Sequence, residues 1–262
     1  MEYTRQLELL DPKQIGNKSI TLVGSGATGS YVALALAQLG WGDIRRGQGT
    51  LRVFDGDIVK EHNLSNQIFE ISHIGKSKAE SLKEIIKRKC GFEIETYNQM
   101  VDDSVDPKLI RSTYVFLLTD TMSSRKEIFN KFLEYSFNTD LVIETRMGLK
   151  EGRVYAFDPN SLDQKDAWRS TLYDDGEAET SSCGASQSII TTVMFLAAMA
   201  AQRVVQHFNY KYGNDNLGNG LNMWYEVQFG LYPEFYYLAR FGDEPIITLQ
   251  TQQKELTSKQ KG

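Results

Sequence analysis

The chain reads as an α/β protein: a doubly wound, mostly parallel sheet that gains an antiparallel strand extension at its C-terminal end. Three observations predict this. Short apolar runs alternate with helical patterns from residue 19 to about residue 145. The glycine-rich turn Gly24-Ser25-Gly26-Ala27-Thr28-Gly29 separates the first apolar run from a helical stretch. Aromatic residues from Leu221 to Leu238 form strand-like runs around Gly230 and Pro233, the pattern of an antiparallel hairpin. One domain over residues 1–262 is expected, with a long loop over about 158–188 and an aromatic strand region over about 221–250.

Residues 1–18 are polar around the nucleus Leu7-Glu8-Leu9-Leu10, which suggests a short helix ahead of the first strand. Thr21–Val23 is that strand, and the G-x-G-x-x-G turn after it is Rossmann-like. Gly24 and Gly26 let the backbone approach a phosphate, and Gly29 lets helix and strand pack closely. The helix Tyr31–Leu39 offers its N-terminal N–H groups to an anion. Leu51–Phe54 is a second strand ending in Asp55, a carboxylate placed to accept from ribose hydroxyls. Ser77–Lys89 is a charged amphipathic helix, Phe92–Tyr97 and Tyr114–Leu118 are strands, Ser124–Tyr135 a helix and Leu141–Glu144 a fifth strand. Gly152–Phe157 follows as another strand. Asp158 to Ser188 shows no periodicity and is expected to be a loop, long enough to suggest a functional role. It leads into the apolar helix Ile189–His207, and Tyr210–Gly220 is a turn.

Composition narrows the class. With 41% hydrophobic and 24% charged residues the chain matches a globular protein, and a net charge of −5 gives no global basic field for nucleic acid. The most apolar segment, Ile189 to Ala201, is too short for a membrane span. Two cysteines, Cys90 and Cys183, exclude a disulfide framework and a four-cysteine zinc site, so no structural zinc is expected. The unpaired thiols and the lack of a signal pattern suggest a cytoplasmic protein.

Seven features in order resemble the E1-like adenylating family, which includes ThiF, MoeB, HesA and the ubiquitin-activating enzymes. They are Tyr3-Thr4-Arg5-Gln6, the glycine turn, Asp55-Gly56-Asp57-Ile58-Val59, His62-Asn63-Leu64-Ser65-Asn66-Gln67, Gly75-Lys76-Ser77-Lys78-Ala79-Glu80, Thr119-Asp120-Thr121-Met122-Ser123-Ser124-Arg125, and Cys183 ahead of a helix. The glycine turn alone is weak; the ordered set, spanning roughly residues 3–207, is specific. The resemblance implies ATP and Mg²⁺ as cofactors, bound at Gly24, Gly26, Gly29, Asp55, Asn63, Asn66, Lys78 and Asp120, with Asp120 on the metal. It implies Lys78 on the phosphates, Arg5 reaching a neighbouring subunit's ATP in a homodimer, and Cys183 taking the activated acyl group as a thioester. The implied partner is a small ubiquitin-like or sulfur-carrier protein ending in glycine, with an E2-like protein as a possible acceptor, and no membrane or nucleic acid.

Each residue has a plainer reading. Lys78 sits on a helix charged enough that an ordinary solvated lysine fits, Asp120 suits an N-cap, and Asp57 suits a turn. Cys183 could close a helix start as a small buried residue, and Cys90 reads as structural. A tryptophan in a loop, Trp168, is expected to anchor it on the body. The family's arginine within NLxRQ is replaced here by Asn66, which cannot supply a bidentate charge, so either Arg125 or Arg146 compensates from elsewhere, or ATP affinity is low, or the chain needs a partner. Other readings are a non-catalytic E1-like scaffold, an adenylating enzyme for a small molecule, peptide or tRNA, and a nicotinamide-dependent oxidoreductase, which lacks a suitably placed Tyr-x-x-x-Lys.

Overall fold

A computed structural model describes residues 3, 6, 10–148, 151–177, 189–212, 225–230, 236–241 and 247–248. Strands β1 (Ile20–Val23), β2 (Leu51–Phe54), β3 (Glu95–Tyr97), β4 (Tyr114–Leu117) and β5 (Leu141–Met147) are joined by parallel pairings. Strands β6 (Glu151–Phe157), β7 (Tyr225–Gly230), β8 (Tyr236–Phe241) and β9 (Ile247–Thr248) continue the sheet by antiparallel pairings. The order across the sheet is β3-β2-β1-β4-β5-β6-β7-β8-β9, the doubly wound arrangement with the expected antiparallel extension.

β1 and β4, the sequences ITLV and YVFL, are buried at every position, because helices cover both faces of the parallel half. On one side α2 (Ala27–Leu39), α3 (Lys78–Cys90) and α7 (Ile190–Tyr212) pack Val32, Leu82 and Val204 against Leu22 and Phe116. On the other, α4 (Pro107–Ile110), α5 (Met122–Ile128) and α6 (Leu162–Ser170) pack Ile110, Ile128 and Trp168 against Val115 and Val142. Alternate side chains of β4 therefore enter two different cores.

Several boundaries differ from expectation. The helix before β1, α1, spans Pro12–Ile15, started by Asp11, whose side chain accepts from the Lys13 N–H, and by proline at N1; Leu7–Leu9 lie outside the described residues. Of the strand expected over Phe92–Tyr97 only Glu95–Tyr97 pairs, while Phe92 and Ile94 are buried in the core. The helix expected at Ser124 begins two residues earlier and passes into a π-helical turn, Phe129–Leu133. The stretch expected to be a loop from Asp158 holds α6, N-capped by Ser161, and a 3-10 turn at Asp175–Glu177. α6 escapes periodicity because it is held by one fully buried aromatic, Trp168, while Leu162 at its start is exposed. α7 runs on to Tyr212, into the region expected to be a turn. Among the described residues no helix is long and apolar enough to cross a membrane.

α7 also carries a buried titratable group. His207 is 1% exposed, and its Nδ1 lies 3.3 Å from the Tyr114 hydroxyl. Burial, aided by the nearby Arg203 charge, pushes the imidazole down to about 4. Because the folded form binds this proton less readily than the unfolded chain, the stability is present above about pH 6.5 and is lost as pH falls toward 4. The loss is on the order of 3 kcal/mol across that window. Denaturant melts at pH 7 and pH 4.5 will show it, and His207→Gln will flatten the part of the pH dependence that His207 supplies.

Candidate active site

The strand order turns back between β1 and β4, and ligands settle in the crevice at such a point, beyond the carboxyl ends of the strands. A cleft of ≈ 260 Å³ lies there, lined from the ends of β1, β2 and β4 and from the segment after β3.

Glycine is required in the turn after β1 by close approach. Gly24 has φ +103°, and a Cβ on it would stand 2.6 Å from the Leu118 carbonyl oxygen. A Cβ on Gly29 would stand 2.2 Å from the Gly24 carbonyl oxygen. Backbone atoms cannot move aside for a side chain at either place. Gly26 differs, since a Cβ there meets no protein atom within 4 Å. Its missing side chain leaves room in the cleft, at the N-cap of a 13-residue helix that no side chain caps.

Asp55 locks this turn to β2. Its Oδ2 accepts from the Ser25 N–H at 2.7 Å and the Ser25 hydroxyl at 2.8 Å, and its Oδ1 accepts from the Asp57 N–H at 2.9 Å. Asp57 in turn takes Lys78 twice, its carbonyl accepting from the Lys78 N–H and its Oδ2 from Nζ at 2.8 Å. The antiparallel bridge between Ile58 and Ser77 fixes these two segments side by side. Lys78 is 8% exposed and points into the cleft, not the solvated helix lysine of the plainer reading. The Asp57 carboxylate holds it there.

Asp120 is exposed and lines the same cleft, at the turn between β4 and α5. The N-cap of α5 is not Asp120 but Thr121, whose hydroxyl accepts from the Ser124 N–H. Gly24, Gly26, Asp55, Lys78 and Asp120 thus line one cleft, with Gly29 one turn behind it. Asn63 and Asn66 belong to the 3-10 turn Glu61–Ser65 and its C-cap, and do not line the cleft. Asn63 turns its side-chain oxygen to the Lys60 N–H at 2.8 Å. Arg5 and Cys183 lie outside the described residues. Cys90 is buried, and burial pushes its thiol up, as befits a structural residue. Gln99, Met100 and Val101 line the cleft without a motif to announce them; their only signal is that they follow a strand at the sheet's carboxyl edge.

Of the alternatives open at Asn66, compensation by Arg125 or Arg146 gains no support, since neither side chain lines the cleft. Both are buried, because both answer the fully buried Glu144 carboxylate. Arg125 donates to Glu144 Oε1 at 3.1 Å, and Arg146 to Oε1 at 2.6 Å and Oε2 at 2.9 Å. The Trp168 indole donates to Oε2 at 2.6 Å, so the expected anchoring tryptophan is the fourth member of this cluster. Arg125 also reaches the Thr119 carbonyl, beside Asp120.

A family model described as "ThiF family" matches residues 3–228. Among solved structures, PaaA is similar with a TM-score of 0.61 and 20% identity, over 87% of this chain and 65% of that one. MccB of E. coli solved with ATP is similar with a TM-score of 0.59 and 15% identity, over 89% and 67%. The Microcin C7 biosynthetic enzyme MccB in complex with N-formylated MccA gives a TM-score of 0.62 and 17% identity, over 89% and 67%. The chain thus spans about two thirds of the length of these structures, and at such identities the likeness is one of fold. No curated protein matches the sequence.

The buried cluster makes a testable demand. Glu144→Ala strands two guanidinium groups away from water, and it is expected to cost about 3–5 kcal/mol. The midpoint of urea denaturation against wild type measures this; Trp168→Phe, which removes one donor, is expected to cost about 1.5–3 kcal/mol.

Proposed function

This chain belongs to the ThiF family, and from that premise we propose that it uses Mg-ATP to adenylate the C-terminal carboxylate of a polypeptide. The observation that carries the reading is one cleft at the carboxyl ends of β1, β2 and β4 lined by Gly24, Gly26, Asp55, Lys78 and Asp120. The finer reading is that the substrate is a small ubiquitin-like or sulfur-carrier protein ending in glycine.

The proposed chemistry follows from these groups. A carboxylate oxygen attacks the α-phosphorus, the bond to the β-phosphate oxygen breaks, and pyrophosphate leaves. Negative charge builds on phosphate oxygens, so preorganised donors and cations lower the barrier. The uncapped first turn of α2 offers backbone N–H groups beside Gly26, and Lys78 supplies a fixed positive charge. Asp55, whose Oδ1 accepts one protein donor, receives a ribose hydroxyl. Asp120, exposed in the cleft and free of the N-cap duty, is the carboxylate suited to Mg²⁺, which when bound neutralises charge on the phosphates. Arg5 from a second subunit adds the charge that Asn66 does not. Attack of the Cys183 thiolate on the acyl carbon then expels AMP and leaves a thioester.

A second reading has its own support. Several similar solved structures are MccB in complex with MccA, so the acyl donor is open within polypeptides. ATP–pyrophosphate exchange tests both. Exchange stimulated by a glycine-ended ubiquitin-like protein supports the first reading, and stimulation only by short peptides supports the second. Lys78→Met and Asp120→Ala are each expected to reduce exchange roughly 10²–10³-fold, while Cys183→Ala retains it. Undiminished exchange in Asp120→Ala would overturn the assignment of that residue, and no exchange with any partner would favour a non-catalytic scaffold.

A further inference from the structure

We propose that Asp175 is a positioning residue that couples the segment running toward Cys183 to the turn bearing Asp120, and thereby sets how the cleft holds nucleotide. The inference rests on the reading of Asp120 given above.

Asp175 lies in the 3-10 turn after α6, yet it serves the start of α5, 53 residues earlier in the chain. Its Oδ1 accepts from the Met122 N–H at 2.5 Å, and both of its oxygens lie 3.3 Å from the Ser123 nitrogen. These are the first two orphan donors of α5, and the third, the Ser124 N–H, goes to the Thr121 hydroxyl. The local cap therefore satisfies only part of the first turn. The rest depends on a remote carboxylate, which the Ser123 hydroxyl and these backbone N–H groups hold below its usual range.

The segment that carries Asp175 is itself tethered. Arg146 donates to the Thr171 carbonyl at 2.6 Å and to the Thr171 hydroxyl at 2.8 Å. That guanidinium is fixed in turn by Glu144, which also holds Arg125. Arg125 grips the Thr119 carbonyl on one side of Asp120, and Asp175 grips Met122 and Ser123 on the other. Asp120 thus stands between two clamps that meet at one buried carboxylate, and one clamp belongs to the segment that continues into residues 178–188. An interaction that fixes Asp120 from the cleft side must by reciprocity tighten the Asp175 clasp, and loss of the clasp must weaken that interaction.

The full-length protein tests this by amide hydrogen exchange at Met122 and Ser123, with and without Mg²⁺ and a non-hydrolysable ATP analogue. In wild type the analogue is expected to slow both amides. In Asp175→Ala both are expected to exchange at least tenfold faster, and the analogue to bind about tenfold more weakly. Asp175→Asn, which keeps one acceptor oxygen, is expected to fall between. Amides that exchange in Asp175→Ala as in wild type overturn the proposal, and so does an unchanged analogue affinity once they have loosened, since Asp175 is then only a cap. A wild-type chain that binds no analogue overturns the nucleotide reading itself, a result distinct from both.

Discussion

A carboxylate with no exposed surface organises the half of this protein that faces the cleft. Moving an ion out of water costs several kcal/mol even after relaxation, and the cost is met only when its lone pairs are well used. Glu144 meets it by drawing Arg125 from α5, Arg146 from two residues along its own strand, and the indole of Trp168 from α6. Arg146 also lies over the Tyr155 ring, 4.4 Å from its centroid, so even its flat face is used. One charge thereby fixes the relative placement of β5, α5 and α6.

That arrangement leaves the cleft poor in positive charge. Two arginines close to Asp120 in sequence or space are committed to the interior, and Lys78 is the cation lining the cleft among the described residues. It is already paired with Asp57, so a phosphate must compete with a carboxylate 2.8 Å away. The backbone donors of the α2 first turn carry correspondingly more of any anion's stabilisation.

How much was legible in the sequence depended on whether a feature was local. Central strands such as Ile20–Val23 and Tyr114–Leu117 announced themselves, because burial on both faces demands unbroken apolar runs. The glycine turn, Asp55, Lys78 and Asp120 were legible because each follows a strand or opens a helix at the ligand-binding edge. α6 was not, since a helix held by one tryptophan and a buried ion cluster has no stripe for periodicity to detect. The direction of Arg125 and Arg146 was equally hidden. A charged residue near a motif looks available for ligand until its buried partner, here Glu144, is located in space. Gln99 to Val101 line the cleft through topology alone, as the continuation of an edge strand.

The pairing at the sheet centre also dictates an order of events on the ribosome. β1 finds its inner neighbour only when β4 has been made, with Ile20 beside Tyr114, 94 residues on. The apolar flank of α2 waits longer still, for α7, which begins at Ile190. Until then the part of α2 that packs on α7 lacks its native cover. The antiparallel hairpin of β7 and β8, by contrast, closes over a few residues. Non-local parallel pairing of this kind slows folding and prolongs exposure of apolar surface. A nascent chain of this protein therefore carries α2 half-clothed until α7 has been made, which is the state that chaperones recognise.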